Sequence, residues 1–190
     1  MTRFCTLAAI GLACAACSTD QNSPADEADT ATGAGGCFAG GDGYLRAQLR
    51  GALVADLNWS NADMQCDGGP RPDGKGLRVT FAGELPESTR HLRFIFGIDE
   101  HDIADGVAQA MPTNLTVILE GEEQLFATRG SERCAVENLE RNALTEGDGK
   151  KLRVHARGYC VGPATNVAGD ARLHIPTFEF TGTAAAELEP

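Results

Sequence analysis

The chain has 190 residues, with 16 Lys and Arg against 27 Asp and Glu, a formal net charge of -11 and seven cysteines. That length suits one folded domain with modest extensions, and the acidity excludes the concentrated basic patch by which nucleic acid is held. Aromatic residues make up only 6%, so the core must be built from Leu, Val, Ile and a few Phe.

The chain opens MTRFCTLAAIGLACAAC: one cation at Arg3, an apolar or small run from Phe4, then small residues closing on Cys17. A charged start, a short apolar stretch and a small-residue cleavage zone define a secretory signal. The run falls short of the roughly 20 apolar residues of a transmembrane helix. Ala15, Ala16 and Cys17 resemble the lipobox of bacterial lipoprotein precursors, in which a cysteine is acylated and becomes the mature N-terminus. Cys14 stands where that pattern usually has Leu and is a competing acylation site, and a cut by general signal peptidase at Ala13-Cys14-Ala15 would give a soluble product. The resemblance implies an exported protein with residues 1–17 as its signal and an acyl anchor in the bilayer. With Ser18 rather than Asp after the cysteine, it also implies the outer membrane, with the domain facing the periplasm or the cell surface.

Residues 18–36 contain no aromatic and carry Asp20, Asp26, Glu27 and Asp29. Such a segment cannot bury enough apolar surface to offset its ordering entropy and is predicted to be a disordered acidic linker, about 25 Å in root-mean-square span. A folded domain over 37–182 and a short tail over 183–190 complete the expected organisation.

From Cys37 onward the dominant period is two. Tyr44–Leu57 reads as one long strand through Leu45, Leu49, Leu53 and Leu57, followed by alternating runs at Leu77–Phe81, Leu92–Ile98, Leu115–Leu119 and Leu152–Ala156. Alternation places one face inward and the other in water. Turn chemistry separates the runs at Arg71-Pro72-Asp73-Gly74, Gly121-Glu122-Glu123 and Gly147-Asp148-Gly149. Arg172–Thr181 changes phase across Pro176 and is expected to be an edge strand that kinks or switches sheets there. Asp99 could cap one short helix near 100–110. The predicted fold is all-β: a disulfide-stapled antiparallel β-sandwich of about eight strands.

Without the signal, four cysteines remain: Cys37, Cys66, Cys134 and Cys160. An even number in an exported chain reads as a disulfide framework. In a hairpin folded about Gly147–Gly149, Cys134 and Cys160 fall nearly opposite one another, within disulfide reach. That pairs Cys134 with Cys160 and, by elimination, Cys37 with Cys66. None of the four has the close spacing of a zinc knuckle.

The sequence holds no hydrolase elbow, no H-E-x-x-H and no phosphate-binding loop, and neither metal nor cofactor is expected. His91, His101, His155 and His174 share no spacing, and His155 and His174 should point outward. Asp99, Glu100, Asp102 and Asp105, or Asp42, Asp67 and Asp73, offer oxygen ligands for calcium, although neither group has the pattern of a calcium loop. Trp59 is expected to anchor the core or its rim. Lys151, Arg153, His155 and Arg157 form an outward basic stripe, extendable by Arg46 and Arg50, that could face an anionic sugar, phosphate or partner. The expected function is that of a non-catalytic, membrane-anchored envelope lipoprotein binding an unidentified protein or glycan. A hydrolase of envelope polymers and a calcium-binding β-sandwich module are the alternatives.

Overall fold

The computed structural model describes residues 36–100, 110–122, 124–144 and 150–186. Cys14, Cys17, the helix expected near 100–110 and the Gly147–Gly149 turn lie outside them.

The described residues form twelve strands, more than the eight expected: β1 Tyr44–Gly51, β2 Ala55–Ser60, β3 Met64–Pro70, β4 Gly76–Glu84, β5 His91–Asp99, β6 Met111–Leu119, β7 Gln124–Ala127, β8 Cys134–Ala143, β9 Lys151–Cys160, β10 Ala164–Asn166, β11 Arg172–His174 and β12 Thr177–Ala185. Two 3-10 turns, Asn61–Asp63 and Ser131–Arg133, are the helical elements among the described residues. Every recorded pairing is antiparallel.

The sheet runs β3-β4-β5-β6 and then forks. Met111–Thr113 of β6 pairs with β8, whereas Thr116–Leu119 pairs with β7. One branch continues through β10 to β11 and the other through β9 to β12. Both meet again on β1, where Arg50–Gly51 takes β11 and Tyr44–Ala47 takes β12. β2 lies beyond β1.

The expected strand Tyr44–Leu57 is a hairpin. The chain reverses at Gly51, which has φ +100 and lies so close to Arg172 that a Cβ would sit 2.5 Å from its carbonyl oxygen. The pairs Leu45 with Trp59 and Ala47 with Leu57 keep the parity of one continuous strand. Leucines four apart therefore face the core in either arrangement, and alternation could not reveal the reversal.

Arg172–Thr181 does break at Pro176, but β12 is no edge: it lies between β1 and β9. Proline has no N–H to donate, and placing it between strands leaves both ladders intact. Leu173 and Ile175 before it and Phe178 and Phe180 after it are all buried, so the break lets both phases reach the core.

The interior is aromatic at its centre despite the sparse composition. Phe96 of β5 lies 4.9 Å from Phe178 and 4.8 Å from Phe180 of β12, and Phe81 of β4 lies 5.0 Å from Phe180. Burying each ring contributes up to about 3 kcal/mol. Gly182 leaves the space these rings use: a Cβ there would stand 2.6 Å from the Phe81 ring.

Disulfides join Cys37 to Cys66 and Cys134 to Cys160. Cys134 and Cys160 are directly opposed in the β8–β9 ladder. A bulge between Val136 and Asn138 then shifts the register by one residue.

Candidate functional site

The outward face of β1, β12 and β9 carries the polar side chains the alternation predicts, because Leu45, Ala47 and Leu49, Phe178 and Phe180, and Val154 and Ala156 point the other way. Register aligns them in cross-strand rows. One row runs Asn58, Arg46, Glu179, Arg157, Asn138; the next runs Ser60, Tyr44, Thr181, His155, Glu140.

The stripe Lys151, Arg153, His155 and Arg157 lies on this face of β9, but its members occupy separate environments. Lys151 is exposed at the end of the strand. Arg153 is engaged: Nη1 and Nη2 donate to Asp42 at 2.6 and 3.0 Å, and the guanidinium lies 4.3 Å from the Phe38 ring centroid. His155 Nδ1 stands 3.3 Å from Tyr44 Oη and 3.1 Å from Thr181 Oγ1. Arg157 is exposed and has no hydrogen-bond or ion-pair partner among the described residues.

Tyr44 donates its hydroxyl proton to Glu179 Oε1 at 2.8 Å. Burial, and then the hydrogen bond to Glu179, push the phenol pKa above its ordinary value. A tyrosine acting as nucleophile or base needs the opposite shift, so the environment of Tyr44 favours its protonated, hydrogen-bond-donating form. Arg46 covers the Tyr44 ring at 4.6 Å, donates from Nε to Asn58 at 3.2 Å and stands 3.9 Å from Glu179. Beside this cluster is a shallow depression of about 740 Å³, lined among others by Arg46, Gln48, Asn58, Arg157, Tyr159 and Glu179. It offers two guanidiniums, amides and a tyrosine ring, with the carboxylates of Asp56, Glu137 and Glu179 also on its border. Arg50 does not extend it, being paired with Asp56 at 2.7 Å.

The other candidates are placed elsewhere. Trp59 is 4% exposed, and its indole N–H donates to the Glu84 carbonyl at 2.7 Å, so it is a core anchor. It underlies a larger depression of about 800 Å³ bordered by Asp56, Asp63, Glu84, Glu87 and Glu120. Asp42 is held by Arg153, Asp73 by Arg71 at 2.7 Å and Glu100 by Arg141 at 2.9 Å, while Asp67 is exposed. Among the described residues no three His, Cys, Asp or Glu side chains group to hold a metal ion. His91 faces Glu84 at 3.6 Å and His174 is exposed.

Sequence reading missed Tyr44, Glu179 and Tyr159 as members of the face, since they lie up to 135 residues apart in the chain. The available signal was alternation parity, which fixes the face but not the neighbouring strand. The comparisons give no family for the chain: no protein-family model, curated protein or solved structure matches it.

Proposed function

We propose that this is an exported, lipid-anchored binding module without catalytic activity: a β-sandwich on an acidic tether in the bacterial outer membrane that takes a carboxylate-bearing glycan on the outward face of β1, β12 and β9. The observation that carries the reading is Arg157, an exposed guanidinium without a partner beside Arg46, Asn58 and Tyr159 in one open depression. Arginine binds carboxylates through paired donors, and amides and tyrosine rings supply the hydrogen bonds and flat apolar surface that a sugar needs. Two disulfides suit an oxidising compartment, and two acyl chains on Cys17 would meet the requirement for stable anchoring.

Affinity electrophoresis through gels containing a uronic-acid polysaccharide tests the glycan. The chain should be retarded, and Arg157→Ala together with Arg46→Ala should abolish the retardation; equal mobility with and without the polysaccharide refutes the reading. Palmitate labelling tests the anchor. Cys17→Ser should eliminate incorporation, and unchanged incorporation would move acylation to Cys14.

A further inference from the structure

The fork in the sheet leaves a further depression, of about 370 Å³, lined by Arg129, Arg133, Pro163, Thr165, Asp170 and Arg172. It lies where the β7–β8 and β9–β10 connections pass between the diverging ladders. Seven arginines elsewhere are paired with carboxylates: Arg46, Arg50, Arg71, Arg90, Arg93, Arg141 and Arg153. Arg129, Arg133 and Arg172 have no hydrogen-bond or ion-pair partner for their guanidiniums among the described residues, although all three border one cavity. In an acidic chain with carboxylates to spare, three arginines without a carboxylate partner around one hollow concentrate positive charge there.

The backbone beneath them is fixed. Arg129 follows Thr128, which is buried, donates its N–H to the Leu115 carbonyl at 2.9 Å and accepts the Leu115 N–H at 3.0 Å. Arg133 precedes the Cys134–Cys160 bridge, and its carbonyl accepts the Val161 N–H at 2.8 Å. Arg172 is paired with Thr165, and its carbonyl accepts from Ala52 at 2.9 Å. Gly162 borders the cradle: a Cβ there would lie 3.0 Å from Arg133 Nη1 and 3.1 Å from its Cδ, so a larger residue would push the arginine aside by a few tenths of an ångström.

We propose that this depression is a binding site for a phosphomonoester, with Arg129, Arg133 and Arg172 as charged donors and the Thr165 hydroxyl as a neutral one. Charge selects the ligand class. Three guanidiniums with Asp170 leave a surplus of two positive charges, which a phosphomonoester of about -1.5 to -2 near pH 7 neutralises and a single carboxylate does not. The phosphate could belong to a soluble ester or a lipid headgroup. Val161 and Val167, 74% and 69% exposed on the adjoining connections, would meet the bilayer only in the second case.

Calorimetric titration of the full chain in neutral detergent with inorganic phosphate and with glycerol 3-phosphate tests the site, alongside sedimentation with phosphatidylcholine vesicles with and without phosphatidic acid. Binding of the soluble esters, or sedimentation only with phosphatidic acid, is the expected result. Val161→Ser with Val167→Ser should weaken the vesicle arm alone if the headgroup is the source. Arg133→Gln should weaken binding roughly ten- to a hundred-fold, the worth of one hydrogen bond to a charged group, and Arg129→Gln and Arg172→Gln likewise. Gly162→Ala should weaken it by displacing Arg133, with the thermal midpoint reporting whether the variant folds. Absence of binding in every arm, or the same loss from Arg157→Gln on the other face, overturns the proposal.

Discussion

Arg153 grips Asp42 through two hydrogen bonds, 2.6 and 3.0 Å long, across 111 positions of sequence, and lays its guanidinium over Phe38. The segment leading into β1 is thereby fastened to β9. Asn61 holds the same segment from the other side, accepting the N–H groups of Phe38 and Gly43 at 2.9 and 3.2 Å and donating to the Phe38 carbonyl at 3.0 Å. The Cys37–Cys66 bridge closes the clasp. A stripe that sequence alone offered as a ligand surface thus spends one of its four members on structure.

Asp42→Asn should weaken this clasp in a pH-dependent way. The hydrogen bond from Arg153, with its charge as a smaller contribution, holds the Asp42 carboxyl below its ordinary pKa. A carboxyl whose pKa falls on folding contributes stability above its unfolded value, near 3.9, and loses it as pH drops through the folded value. The pair is largely exposed, so its worth is within about 0.2 to 1 kcal/mol. Thermal unfolding of the two proteins should differ by that much at pH 7 and converge as the pH falls through the folded value; a difference that does not shrink on acidification would contradict the assignment.

Non-reducing peptide mapping should recover Cys134 linked to Cys160 and Cys37 linked to Cys66. Replacing Cys134 and Cys160 together with serine opens a loop spanning 26 positions and should cost roughly 3 kcal/mol on the chain-entropy account. Recovery of Cys66 in a peptide with either Cys134 or Cys160 would contradict the ladder that places those two opposite one another.

The β8–β9 bridge was readable because a hairpin ties pairing to sequence distance: residues equally far from the turn must meet. Cys37 with Cys66 followed only by elimination, since no hairpin relates them. The same limit hid the rest of the fold. Parity put Arg46, Glu179 and Arg157 on outward faces but could not say that β12 lies between β1 and β9, because β12 reaches that position after the chain has run through β10 and β11. Nor could alternation count strands. β10 and β11 are only three residues long, too short to show a period, and the β1–β2 reversal preserves parity. The three-arginine depression was invisible for the same reason, as its residues come from connections and from the short strands β10 and β11, which only the forked ladder brings together.

Trp59 provides an optical test of the core assignment, being the one tryptophan in the chain. Its ring packs edge-on against Phe94 at 5.9 Å and its N–H is satisfied by the Glu84 carbonyl. The native emission should be blue-shifted and resist acrylamide quenching, and both properties should vanish in the unfolding transition. Trp59→Phe removes ring volume and leaves the Glu84 carbonyl without that donor, for a loss of roughly 1 to 3 kcal/mol. A red-shifted, readily quenched native spectrum would place Trp59 on the surface after all.

The β4–β5 turn offers a change in the opposite direction. Ser88 donates its N–H to the Leu85 carbonyl at 3.1 Å, closing a four-residue turn with Pro86 second and Glu87 third. Glu87 has φ +59 and is the one non-glycine residue described with positive φ. Proline presets the second position of such a turn, while the third favours glycine or asparagine because a Cβ crowds the backbone in the left-handed region. Relief of that crowding is worth about 1 to 2 kcal/mol, and glycine's greater freedom in the unfolded chain returns roughly 0.4 to 1 kcal/mol of it. Glu87→Gly should therefore raise stability modestly in urea unfolding, and Glu87→Asn should do so without the entropic loss. Both changes should leave the slope of the transition unaltered, because the surface exposed on unfolding is unchanged. Destabilisation by both substitutions would mean that the Glu87 side chain contributes a contact worth more than the strain it imposes.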